Sequence, residues 1–163
     1  MVDFFENERF TYIVTKKPKQ TLLEHLMSSK NEEDRWYSEA GAVELLIPIF
    51  EAVEQIHKRG IVHRDICLSK VAIRNSKDSK VRLELHGFEY AIYLQPKYGG
   101  WTTVEQEALT FDYRATTAPE LKAGFEHGRP VDIYGLGQIA YQLLCSTSSW
   151  EPQILQAASE FQN

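Results

Sequence analysis

The chain has 163 residues, 43% hydrophobic and 25% charged, with a net charge of -5. That size and balance suit one globular domain with its own core and exclude a disordered or low-complexity chain. The acidic balance provides no overall basic field, so nucleic acid is not expected as a partner.

Phe10 to Val14 is aromatic and β-branched and predicts a short strand. Lys16 to Gln20, with Pro18, reads as a connector. Thr21 is placed to cap a short helix through His25 and Met27, with Leu22, Leu23 and Leu26 as its apolar stripe. Ser28 to Arg35 reads as a polar loop. Ser38 caps a long helix to His57, whose apolar face carries Ala42, Val43, Leu46, Ile49, Phe50, Val53 and Ile56. Pro48 lies inside it and predicts a bend, at a cost of about 3 kcal/mol unless packing offsets it. Lys58, Arg59 and Gly60 end the helix as cations followed by a left-handed glycine.

Val71 to Arg74 and Val81 to Leu85 predict two strands, the second alternating apolar and polar, joined by a turn at Asn75 to Lys80. Periodicity fails from Tyr93 to Tyr113, which predicts a long loop. Pro119-Glu120-Leu121 starts a short helical piece, and Gly124 to Pro130 connects it onward. Val131 to Cys145 is the most apolar helix; Gly135 and Gly137 within it predict close packing against a neighbour. Trp150 to Asn163 reads as a weak final helix.

The two cysteines, Cys67 and Cys145, are too few for a disulfide framework and lack metal-ligand spacing, which points to a reducing, intracellular compartment. Met1 to Arg9 is polar and acidic, unlike a signal peptide. No apolar run reaches the roughly 18 to 20 residues of a membrane helix, so no membrane insertion is expected. The clusters Lys16, Lys17, Lys19 and Arg74, Lys77, Lys80, Arg82 read as solvated faces. His86 with Glu89, His63 with Asp65, and His57 form no metal-ligand pattern. Cys67 with His63 is a conceivable thiol dyad, but no third group orients it; a plain buried cysteine is the simpler reading.

Three motifs occur in order: His63-Arg64-Asp65, Ala118-Pro119-Glu120, and Val131-Asp132-Ile133-Tyr134-Gly135. With the elements between them, the chain resembles the C-terminal lobe of a protein kinase. The resemblance implies an α+β, mostly helical fold with a truncated N-terminal lobe. It gives a single partial domain over 1–163, with 1–17 as a remnant of N-lobe strands and hinge. Residues 18–163 are then the C-lobe core, its final helices missing. It also implies that Asp65 orients a substrate hydroxyl and that Asp132 tethers the catalytic-loop backbone. Arg64 is then a ligand for a phosphorylated Thr110 or Thr116, for Glu105 or Glu107, or a structural partner. Glu120 is left without its usual arginine.

Four positions depart from the family pattern. Lys70 stands where an asparagine binds metal, and Cys67 where a lysine is usual. In Gly87-Phe88-Glu89, aligned on Phe88, Gly87 replaces the metal aspartate and Glu89 the glycine. Phosphoryl transfer rests on positioning and charge neutralisation, and an ammonium cannot ligate Mg²⁺. The expectation is therefore no metal and no cofactor, with ATP left open, and a vestigial Asp65. The chain is then not an enzyme but a catalytically impaired pseudokinase serving as an interaction or scaffolding module. The alternative is a weak or metal-independent serine/threonine protein kinase whose ATP-binding lobe lies outside this chain.

A narrower likeness is to the calmodulin-dependent-kinase-like domain of CASK-type MAGUK scaffold proteins. It rests on Tyr37-Ser38-Glu39-Ala40, Gly87-Phe88 with Ala91-Ile92 and Leu94, and Gly128-Arg129-Pro130-Val131-Asp132. It implies other proteins as partners and a cytoplasmic site, membrane-peripheral through a scaffold complex. Candidate partner surfaces are the helix from Leu22 to Met27, the platform under Ala118 to Leu121, and Trp36, Trp101 and Trp150.

Overall fold

Short β-branched and aromatic runs alternate along the chain with longer apolar helical stripes, so that strands and helices are interspersed. The computed structural model describes residues 3–9, 11–28, 37–75, 81–94 and 117–145. The three tryptophans, the weak final helix, and most or all of the three expected loops lie outside the described residues.

The first expected strand forms as β2 (Thr11–Val14), paired antiparallel with β1 (Asp3–Glu6), which the sequence reading did not foresee. Phe5 faces Tyr12 across the pair, and their rings stack with centroids 4.7 Å apart. This cross-strand aromatic contact supports the pairing of a segment that is otherwise polar and acidic.

A two-residue β3 (Gln20–Thr21) leads into α1 (Leu22–Ser28). Thr21 Oγ1 accepts the Glu24 N–H at 3.2 Å, and Glu24 Oε2 accepts the Thr21 N–H at 2.7 Å. This reciprocal cap satisfies two amide donors at the helix start. Leu22 and Leu26 turn inward and are buried, while Met27 stays exposed. Of the proposed α1 partner surface, Leu22 and Leu26 are core, whereas Glu24, His25 and Met27 remain exposed.

The long helix α2 (Glu39–Lys58) starts at Ser38, whose Oγ accepts the Gly41 N–H, and continues through Pro48. It ends before Gly60, which is left-handed as expected. Next come β4 (Ile61–Val62), β5 (Val71–Asn75), β6 (Val81–Leu85) and β7 (Ile92–Tyr93). Strands β3, β5 and β6 form one antiparallel sheet with β5 central, and β4 pairs with β7. Two helices complete the described chain, α3 (Pro119–Lys122) and α4 (Pro130–Leu144). The fold class is α+β, as expected. Among the described residues no helix is long and apolar enough to cross a membrane.

Two cores hold these elements. The larger joins Leu22 and Leu26 of α1, Ile49 and Val53 of α2, and Leu136, Ile139 and Leu143 of α4, with Ile66, Leu68 and Val71 between them. The smaller joins Val62, Leu94, Ala118, Leu121 and Val131. Ala118 and Leu121 are thus buried in a core and offer no open platform, contrary to expectation. The segment from Val62 to Val71 supplies residues to both cores, so its backbone is fixed from two sides.

Gly135 explains how α4 meets that segment. A Cβ there would lie 2.6 Å from the Ile66 carbonyl oxygen and 2.7 Å from Ile66 Cβ. Gly137, expected to pack closely too, faces open space: a Cβ there would meet nothing within 4 Å.

Candidate active site

The site is built on the segment between β4 and β5. Asp132, fully buried in the first turn of α4, accepts the His63 N–H through Oδ2 and the Arg64 N–H through Oδ1, each at 2.8 Å. His57 Nε2 reaches the same Oδ2 at 2.8 Å. The expected tether is therefore present, and His57 is an anchor that sequence reasoning missed. Its place in the last turn of a long helix carried no signal that it would face α4.

Arg64 has φ +67, a left-handed backbone that costs a non-glycine residue about 1 kcal/mol or more. Asp132 holds its amide, and its buried guanidinium donates to the Tyr90 carbonyl and contacts His127 Nε2. Of the roles open to Arg64, structural pairing is the one the described residues display. His127 is a second residue the sequence reading missed; it sits in a connector without periodicity.

His63 is buried and its ring packs on Phe88, centroids 4.6 Å apart. The Asp65 N–H donates to His63 Nδ1 at 3.3 Å, which leaves the proton on Nε2, 3.1 Å from the His86 carbonyl. Both ring nitrogens are thus engaged, and neither serves Cys67. The buried Cys67 thiol instead lies 3.2 Å from Ser69 Oγ, so the thiol dyad is not formed.

Burial pushes the His63 imidazole below its ordinary 6.5, although the Asp132 and Asp65 carboxylates pull the other way. Burial, aided by the Lys70 charge, lowers His86 in the same direction. The unfolded chain then takes up protons near pH 6.5 that the folded rings take up only at lower pH. Stability is full above that value and is lost as pH falls below it. The expected result is a melting temperature that declines from about pH 6.5 downward and a shallower decline in His63→Gln. Identical slopes in the two proteins, measured by thermal unfolding, would remove His63 as the cause.

Lys70, Asp65, Gly87 and Glu89 come together at the surface of this anchored loop. The Lys70 ammonium is 3.4 Å from Asp65 Oδ2 and 3.2 Å from Glu89 Oε2. The first contact is Coulombic, since Asp65 Oδ2 accepts no hydrogen bond among the described residues; the second is a hydrogen bond. Burial would depress the Lys70 amine, but the Glu89 hydrogen bond and the Asp65 and Glu89 charges outweigh it and hold the amine above its ordinary value. Burial raises the Glu89 carboxyl, and hydrogen bonds from its backbone and Lys70 overcome that and lower it.

Gly87 makes this seating possible. A Cβ at 87 would lie 2.4 Å from Lys70 Cδ and 2.8 Å from its Nζ. Glycine also suits the left-handed φ of +82 there. The ammonium therefore rests where a side chain at 87 would stand. Glu120 is half-buried, and its charge helps raise the Tyr134 hydroxyl after burial has done so.

A divalent cation does not fit this arrangement. Gly87 offers no side-chain donor, and the Asp65 and Glu89 carboxylates already share an ammonium that would repel it. Among the described residues, no three His, Cys, Asp or Glu side chains converge as a metal site.

A family model described as protein kinase domain matches residues 1–162. The chain is 29% identical over 156 residues to the calcium/calmodulin-dependent protein kinase cmkB of Emericella nidulans, covering 93% of this chain and 35% of that protein. It is 30% identical over 154 residues to a calcium/calmodulin-dependent protein kinase of Metarhizium anisopliae, covering 94% of this chain and 37% of that one. A probable serine/threonine-protein kinase 2 of Plasmodium falciparum is 26% identical over 145 residues, which cover 89% of this chain and 26% of that protein. The chain thus spans about a third or less of the length of these curated relatives.

These relatives overturn the expectation that the chain is not an enzyme, because they are named as protein kinases. The expectation rested on the metal-binding positions alone, where Lys70 and Gly87 stand. Lys70 places a positive charge beside Asp65.

Proposed function

The chain belongs to the protein kinase domain family, and on that premise we propose that it serves slow phosphoryl transfer to serine or threonine hydroxyls of other proteins. The observation that carries this reading is Asp65, held by a loop that Asp132 pins from α4. Its Oδ2 is engaged by Lys70, while Oδ1 has only a 4.0 Å thiol contact from Cys67 among the described residues. Oδ1 is therefore the oxygen available to an incoming hydroxyl.

In the proposed step the hydroxyl oxygen bonds to the terminal phosphorus of a nucleoside triphosphate. The bond from that phosphorus to the β-phosphate oxygen breaks, the nucleoside diphosphate leaves, and Asp65 takes the hydroxyl proton. His63, Arg64, Phe88 and Asp132 are positioning residues in this reading, and Glu120 a fold residue. Partners are the phosphoacceptor proteins. The likeness to MAGUK scaffold domains supports recruitment of other proteins as an added role at a cytoplasmic, membrane-peripheral site.

The test is phosphate incorporation into a serine/threonine peptide library by the full chain. Asp65→Asn is expected to lower the rate by about 10² or more while leaving the melting temperature near wild type. Equal incorporation by the variant and wild type would sink the reading.

A further inference from the structure

The misfit of a divalent cation leaves open what balances the donor's phosphate charge, and Lys70 answers it. An ammonium has three N–H donors. At Lys70 one bonds Glu89 Oε2, and the contact with Asp65 Oδ2 is Coulombic. The two carboxylates are held unequally. The Asp65 side chain is 13% exposed and sits on the pinned loop, whereas that of Glu89 is 66% exposed. So exposed a carboxylate gains little from an ion pair, because water competes for it. An anion bound at Lys70 can therefore displace Glu89 while the ammonium keeps Asp65.

We propose that the Lys70 ammonium, seated over Gly87 between Asp65 and Glu89, is the cation that receives a phosphate oxygen of the phosphoryl donor, and that Glu89 occupies this place until the donor arrives. This rests on the phosphoryl-transfer reading for its purpose, but it makes a claim about anion binding that can be measured separately. It gives the two departures at 70 and 87 one joint role. It gives Glu89 the role of an internal competitor that lowers affinity for the donor.

The experiment is calorimetric titration of the full chain with inorganic tripolyphosphate and with ATP, both in excess EDTA. Wild type is expected to bind both. Lys70→Gln should weaken binding about tenfold or more, and Glu89→Gln should tighten it several-fold by removing the competing charge. Gly87→Ala should weaken it as Lys70→Gln does, by displacing the ammonium from its seat. Circular dichroism of each variant shows that the fold is kept, and Glu89→Gln changes an exposed side chain, so its result stands even if another variant misfolds.

Binding by wild type only when Mg²⁺ is added overturns the proposal, as does unchanged affinity in Glu89→Gln. Lys70-dependent binding in EDTA without peptide phosphorylation upholds it and removes the phosphoryl-transfer reading instead. Peptide phosphorylation that is indifferent to Lys70→Gln does the reverse.

Discussion

Replacing Asp132 by alanine is expected to destabilise the protein by about 3–5 kcal/mol. The side chain is fully buried and accepts from the His63 and Arg64 amides and from His57 at once. Alanine leaves two buried N–H groups and an imidazole without a partner, in a place closed to water. The loss also releases Arg64 from a left-handed backbone that the Asp132 bond helps to hold. Asparagine is a poor rescue. Its amide nitrogen must replace one carboxylate oxygen, and both oxygens accept from backbone N–H groups. Urea unfolding measures the energy, and hydrogen exchange at the His63 and Arg64 amides locates it. A loss below about 1 kcal/mol would mean that the loop is held by its two cores alone.

Gly135→Ala and Gly137→Ala are expected to act in opposite directions. Alanine is the better helix former by about 1 kcal/mol, and at Gly137, with open space around it, that gain is expressed. At Gly135 the new methyl meets the Ile66 carbonyl at 2.6 Å, a backbone atom that cannot rotate away. Forcing α4 off the loop there should cost about 1–3 kcal/mol net and move Ile66, the neighbour of Asp65. Thermal melts of the two variants check the sign, and phosphate incorporation by Gly135→Ala reads the displacement of the loop. Similar melting shifts in both would refute the close-packing account.

Much of the fold was legible because its signals are local. Thr21, Ser38, and the sequence Lys58-Arg59-Gly60 mark helix ends by chemistry that acts within one turn. Asp132 was legible through its motif. The unforeseen features arise from contacts distant in sequence. β1 becomes a strand because Phe5 finds Tyr12, and β7 because Ile92 and Tyr93 find β4. His57 and His127 become functional supports only when α4 and the connector bring them to Asp132 and Arg64. The sequence reading weighed Lys70 and Gly87 as two separate losses. Their contact in space makes them parts of one arrangement.

That contact also bears on how such a site arises. Lysine at 70 with a Cβ at 87 must shift its side chain, because that Cβ would lie 2.4 Å from Lys70 Cδ and 2.8 Å from its Nζ, and the shift is expected to loosen the contact with Asp65. A lysine acquired first is therefore expected to pair less closely with its carboxylate. Glycine acquired first opens the seat, after which lysine has a use for it. Each substitution thus changes the value, and even the sign, of the other. A mutational path between this site and one with a side chain at 87 is therefore expected to be easier in one order than in the other, and reversing either position alone to be worse than reversing both.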